Sequence, residues 1–154
     1  MKTVLAPVDF SSATTRIVNE AVMLARSFEG RVALVHVTEP TAGLLDYGVV
    51  AIAVAQVNKA VEKRAKERLH ELEKQLEAEG VSVTSIHVTG IPVPEIIEQA
   101  NTLPADYIVI GTHGHTAFYD LLVGSTAHGV LKRAKCPVVV VPPKAVETGE
   151  TGRG

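Results

Sequence analysis

Short apolar runs alternate along this chain with longer amphipathic ones, the rhythm of βαβ units wound around a parallel sheet. Thr3 to Val8 is the first predicted strand. Asp9-Phe10-Ser11-Ser12 follows, where Ser11 or Ser12 can cap a helix through its hydroxyl. In that helix Ile17, Val18, Ala21, Val22, Ala25 and Phe28 recur at three- and four-residue steps, and Gly30 reads as the left-handed residue that stops it. Val32 to Val37 is almost wholly apolar, the pattern of a strand buried on both faces. After the loop Glu39-Pro40-Thr41-Ala42-Gly43, a long helix is predicted from about Val49 to Glu79. Its core stripe is Val57, Val61, Ala65, Leu69, Leu72 and Leu76, and Gly80 ends it.

Val81 to Val88 carries polar Ser82, Thr84 and His87, which predicts a strand near a sheet edge. Gly90-Ile91-Pro92-Val93-Pro94 turns the chain into a short helix containing Ile96, Ile97 and Ala100. Tyr107 to Ile110 is the fourth strand, a helix runs from about Ser125 to Ala134, and Pro137 to Val141 is the fifth strand. The run Gly48 to Val54 reads either as the buried start of the long helix or as a lip over a ligand; the buried start is the preferred reading. These elements form one α/β domain over residues 1–143, with no repeat. The tail, 144–154, lacks apolar anchors and is expected to be mobile.

Composition narrows the function classes. A chain of 154 residues, 46% of them hydrophobic, is long enough for one sizeable core. The formal net charge of −2 advertises no basic surface, and three Phe, three Tyr and no Trp give no stacking platform, so nucleic-acid binding is not expected. Cys136 is the single cysteine and can complete neither an intramolecular disulfide nor a thiolate metal site. The N-terminal apolar stretch ends at Asp9, too short for a signal peptide, and no apolar run approaches the roughly 20 residues of a membrane span. The expectation is a cytoplasmic protein without membrane insertion.

In open α/β sheets ligands bind outside the carboxyl ends of the strands, where the strand order reverses. The unusual residues gather at such ends. Pro7-Val8-Asp9 closes the first strand and Gly111-Thr112-His113-Gly114 closes the fourth, two candidate walls of one crevice. Gly111 and Gly114 allow the close backbone approach that a phosphate needs when several N–H groups converge on it. Gly124-Ser125 then opens a helix whose first amides favour an anion, and Ser125 and Thr126 add hydroxyl donors. From spacing alone an ordinary strand-to-loop turn explains these glycines equally well.

Other readings are weaker. Asp9 either orients a base or a metal, or caps the first helix. His113 and His115 have no adjacent carboxylate or cysteine, so zinc is disfavoured, and Mg²⁺ held mainly by phosphates and waters fits better. A Ser125–His113–Asp9 triad lacks the Gly-x-Ser-x-Gly elbow, and the Walker pattern with its lysine is absent. His36, at the end of an apolar strand, reads as a satisfied core histidine.

Gly111-x2-Gly114-x9-Gly124-Ser125 resembles the ATP-binding signature of the universal stress proteins, Gly-x2-Gly-x9-Gly-Ser/Thr. The resemblance extends through Val4-Leu5-Ala6-Pro7-Val8-Asp9-Phe10-Ser11, Leu34-Val35-His36-Val37, Gly90-Ile91-Pro92 and Cys136-Pro137-Val138-Val139-Val140-Val141-Pro142, so it spans nearly the whole chain. It implies a Rossmann-like, three-layer fold of the adenine nucleotide alpha hydrolase-like type, with a five-stranded parallel sheet in the order 3-2-1-4-5. It also implies ATP as ligand in a stress-response or regulatory protein that changes shape or partners with nucleotide state. Pro7 and Asp9, with Val8 between them and the backbone at Val37, would line the base and ribose end. Gly111, Thr112, His113, Gly114, His115 and Thr116 would wrap the ribose and phosphates, and Gly124, Ser125 and Thr126 would hold the terminal phosphates. The last strand, Val138 to Val141, would pair two subunits in a homodimer. Ala117 stands where many relatives have glycine, and Phe10 follows the aspartate where glycine is common. The contrasting expectations are a slow ATPase or nucleotide hydrolase, and a nucleotide-free dimeric interaction module.

Overall fold

The apolar run Thr3–Pro7 forms strand β1, buried along its whole length at the centre of a sheet. The structure, a computed structural model, describes residues 1–41, 48–112 and 123–143. After β1 come helix α1 (Thr14–Ser27), β2 (Arg31–Thr38), α2 (Gly48–Ala78), β3 (Val83–Thr89), α3 (Pro92–Thr102), β4 (Tyr107–Gly111), α4 (Ser125–Arg133) and β5 (Val138–Val141). The five strands are parallel and ordered β3-β2-β1-β4-β5, as the resemblance implies. The half-polar third strand is an edge, and so is β5. The predicted tail lies outside the described residues.

Alternation along the central strand divides the core into two layers. Val4, Ala6 and Val8 pack with Ile17, Val18, Ala21, Val22 and Ala25 of α1 and Leu69 and Leu76 of α2. Leu5 points the other way, with Ala33 and Val35 of β2, Ile96 of α3, Ile108 and Ile110 of β4 and Val130 of α4. Helices therefore cover both faces, which a parallel sheet requires.

Local features depart from the pattern reading in three places. Helix α1 takes no side-chain cap from Ser11 or Ser12; its N-cap is Ala13, and the Ser11 hydroxyl instead accepts from the Ala13 N–H at 3.3 Å, one turn early. The left-handed residue that ends α1 is Glu29 (φ 50°), not Gly30. Gly30 is needed for another reason: a Cβ there would lie 2.5 Å from the Lys2 carbonyl oxygen, where β1 and β2 begin side by side.

The third departure is at α2. Its stripe buries Ala65, Leu69 and Leu76, but Val57 and Val61 are about half exposed and Ile52 is 63% exposed. The buried start expected for Gly48 to Val54 is thereby overturned for Val50 to Ala53, which are exposed. The reason is length. A helix of 31 residues spans about 46 Å, while the seven-residue strand beside it covers about 23 Å. The C-terminal part of α2 covers the sheet, and its N-terminal part has no strand beneath it.

Candidate functional site

The order β2-β1-β4 places the switch point between β1 and β4, whose chains leave in opposite directions to α1 and α4. A crevice of about 430 Å³ opens there. Its lining holds Pro7, Val8 and Asp9 from the end of β1, Val37 from β2, Gly111 and Thr112 from β4, and Gly124, Ser125 and Thr126 from the start of α4. These are all the expected site residues that fall within the described chain. His113, Gly114, His115 and Thr116 lie outside it, as does Ala117.

The backbone explains how such distant residues meet. Thr112 N–H donates to Val141 O at 3.1 Å, which extends the β4–β5 pairing by one step. Gly124 N–H donates to Thr112 O at 2.6 Å, which fastens the start of α4 to the end of β4 beside the sheet. Gly124, extended at φ −68° and ψ 166°, is the N-cap of α4, and His128 N–H returns to its carbonyl at 2.9 Å. The Gly124 amide is thus spent on Thr112 O. The amides of Ser125, Thr126 and Ala127 are the first-turn donors that an α-helix leaves without an intrahelical acceptor.

At the opposite wall, Val8 N–H donates to Val35 O at 2.8 Å and carries the β1–β2 pairing to the crevice floor. Asp9 Oδ1 accepts the Ser11 N–H at 2.9 Å, an Asx turn that fixes the carboxylate where β1 ends. The helix-capping role considered for Asp9 is therefore not what it does; it organises the turn before α1.

Sequence reasoning missed several wall residues. His36, read as a core histidine, is half-buried and lines the crevice. Its Nδ1 lies 2.7 Å from Val8 O, and because a carbonyl only accepts, Nδ1 carries the proton and Nε2 is the acceptor of the neutral ring. Thr38, Glu39, Val61 of α2, and Pro92 and Ile96 of α3 also contribute. The signal for His36 was available: a histidine interrupting a strand otherwise apolar, at the carboxyl end where ligands bind. Val61 and Pro92 carried no such mark, since only the fold brings α2 and α3 to this end.

The crevice lining combines apolar side chains, among them Val37, Ile96, Ile110 and Ala127, with the hydroxyls of Thr112, Ser125 and Thr126. Among the described lining residues are two carboxylates, Asp9 and Glu39, and no lysine or arginine. An anion here would be held by amides and hydroxyls. A ring pair lies beyond His36: His87 of β3 sits at 6.0 Å between centroids and shares a 2.8 Å hydrogen bond with Thr38 Oγ1. Burial, the neighbouring His36 and Lys66 hold the His87 pKa below its ordinary value, so that ring stays neutral at pH 7. A second groove of about 520 Å³ between α1 and α2 is lined by residues of the two helices, among them Thr14, Met23 and Arg26, and by Glu79 just past the end of α2.

No described helix is long and apolar enough to cross a membrane. The model of the Universal stress protein family matches residues 1–142. Universal stress protein MJ0577 of Methanocaldococcus jannaschii is 33% identical over 156 residues, covering 93% of this chain and 96% of the relative. Its solved structure superposes with a TM-score of 0.81 over 94% of this chain and 98% of that one. Universal stress protein UspA from Lactobacillus plantarum gives a TM-score of 0.80 at 25% identity, covering 91% and 97% of the two chains. The same fold, at 24% identity and TM-scores of 0.64, occurs in a universal stress protein solved with cAMP, covering 92% of this chain and 96% of that one, and in one from Archaeoglobus fulgidus solved with dAMP, covering 91% and 97%.

Proposed function

Since the chain belongs to the universal stress protein family, we propose that it binds ATP in the crevice between β1 and β4 and acts as a nucleotide-dependent regulatory protein rather than an efficient enzyme. The observation that carries this reading is the convergence of Pro7, Val8, Asp9, Val37, Gly111, Thr112, Gly124, Ser125 and Thr126 on one crevice at the switch point. In this reading the adenine rests against the apolar lining residues Val37, Ile96 and Ile110. Asp9, held by its turn, accepts from ribose hydroxyls. The hydroxyls and amides of Ser125 and Thr126 take the terminal phosphates at the positive end of α4. Gly111 and Gly114, with Thr112, His113, His115 and Thr116, wrap the ribose and the inner phosphates. Relatives of the same fold were solved with cAMP and with dAMP, which supports an adenine nucleotide as the ligand class.

Two consequences follow from the charge of the lining. With Asp9 and Glu39 present and no lysine or arginine among the described lining residues, the triphosphate's charge would need a partner, which Mg²⁺ held mainly by phosphate and water would supply. Phosphoryl transfer is accelerated by placed positive charge and an oriented nucleophile. The described lining offers Mg²⁺-bound phosphate a cradle of neutral donors, which favours holding over cleavage. The outer edge of β5, Val138 to Val141, is the surface through which two chains pair in a homodimer in this account, in the cytoplasm.

The test is to release bound small molecules from freshly purified protein by denaturation and identify them chromatographically, before and after prolonged incubation with Mg²⁺-ATP. Recovered ATP that persists supports the holder. Stoichiometric conversion to ADP or AMP would make the protein a slow hydrolase. Gly114→Val should abolish recovery by filling the space a phosphate needs, and undiminished ATP in that variant would exclude the loop from the site.

A further inference from the structure

Next to the crevice, but not in its lining, Phe10 holds a backbone conformation with φ 59°, a region that bulky residues rarely occupy. Such a residue persists only where its surroundings hold it there. The surroundings are visible. The Phe10 ring lies 4.7 Å from the His36 ring, tilted by 40°, and the Arg68 guanidinium of α2 sits over the Phe10 ring at 4.3 Å from its centroid. His36 in turn stacks on His87. Arg68, Phe10, His36 and His87 thus form one continuous stack from the surface of α2 to the edge strand. Phe10 follows Asp9 directly, and His36 grips Val8 O, so the stack fastens the crevice wall Val8-Asp9 on both sides.

We propose that Phe10 and Arg68 are positioning residues for the nucleotide site: the stack fixes the Asp9 turn and the His36 ring, whose Nε2 accepts a hydrogen bond from a hydroxyl or amino group at the nucleoside end of the ligand. This rests on the nucleotide reading above and extends it to residues outside the crevice. A glycine would adopt φ 59° with less strain, so the turn itself does not call for an aromatic side chain. The ring is what glycine lacks. It leaves the carboxylate and the imidazole with fixed positions in the free protein, so less ordering is needed when the ligand binds.

The experiment measures ATP affinity by calorimetry alongside melting temperature, for the full chain and four variants. Phe10→Tyr retains the ring and should bind within about twofold of the original chain. Phe10→Gly and Phe10→Leu should each bind about tenfold more weakly; in Phe10→Gly the relaxed backbone offsets part of the stability lost with the ring. Arg68→Gln, at an exposed position, should leave the melting temperature near that of the original chain and weaken ATP about threefold. Original affinity in both Phe10→Gly and Phe10→Leu would overturn the inference, as would an unchanged affinity in Arg68→Gln. Each of these presupposes binding by the unaltered chain, whose failure to bind ATP would instead remove the nucleotide reading and this inference together.

Discussion

Among the described non-glycine residues, two take left-handed backbone, Phe10 at 59° and Glu29 at 50°; only Phe10 was set apart beforehand, as standing where glycine is common among relatives. Glycine was the expected carrier of that conformation at the end of α1, yet Gly30 serves close approach instead. Placing a methyl 2.5 Å from the Lys2 carbonyl oxygen forces β1 and β2 apart at their shared start. Gly30→Ala should therefore lower stability by about 1–3 kcal/mol in urea unfolding, as overpacking does, although alanine normally favours order over glycine. A midpoint unchanged or raised would show that the strand ends yield. His87 offers a second check. Its folded pKa is depressed, so the unfolded chain binds the proton more readily, and acidification favours unfolding. The stability advantage of the neutral ring is present at pH 7 and above, and declines as pH falls below the usual histidine value of about 6.5. His87→Gln should melt with a flatter dependence between about pH 7 and 5. Equal slopes in the two proteins would place the acid sensitivity elsewhere.

Periodicity located the helices and strands because most are short enough to be matched by the sheet they cover. Of the α1 stripe, Ile17, Val18, Ala21, Val22 and Ala25 are buried, while Phe28 is the C-cap and 40% exposed. Helix α2 shows where the method stops: the same spacing marks Val57, Val61, Leu69 and Leu76, and only the last two have sheet beneath them. Spacing reports which residues share a face of the helix, and how far the neighbouring strand reaches is a property of the fold. The two halves should respond differently. Leu69→Ala removes a side chain that is 2% exposed and should destabilise by about 2–5 kcal/mol. Ile52→Gln and Val57→Gln should stay within about 0.5 kcal/mol by the same denaturant measurement. A large loss at Ile52 would mean that this apolar segment is covered in solution.

For the molecule as a whole, the sequence carried the alternation of elements and hence a parallel α/β fold, while the strand order came with the family resemblance. No local pattern says that β4 crosses to the far side of β1, yet that crossing makes the switch point and brings Thr112 and Gly124 opposite Asp9. The site glycines were legible because their spacing belongs to a signature. Val61 and Ile96 were not, because their roles arise from crossovers that bring α2 and α3 to the same end. Because β5 is an edge among the described strands, assembly through it is measurable: light scattering should return twice the 16.3 kDa chain mass. A monomer would leave Val138–Val141 as an unpaired edge. The central claim concerns the crevice, and calorimetric titration of nucleotide-free protein with Mg²⁺-ATP tests it most directly. The account predicts saturable binding at one site per chain that Gly114→Val abolishes. Absence of saturable heat at any accessible ATP concentration, with the protein folded, would contradict it.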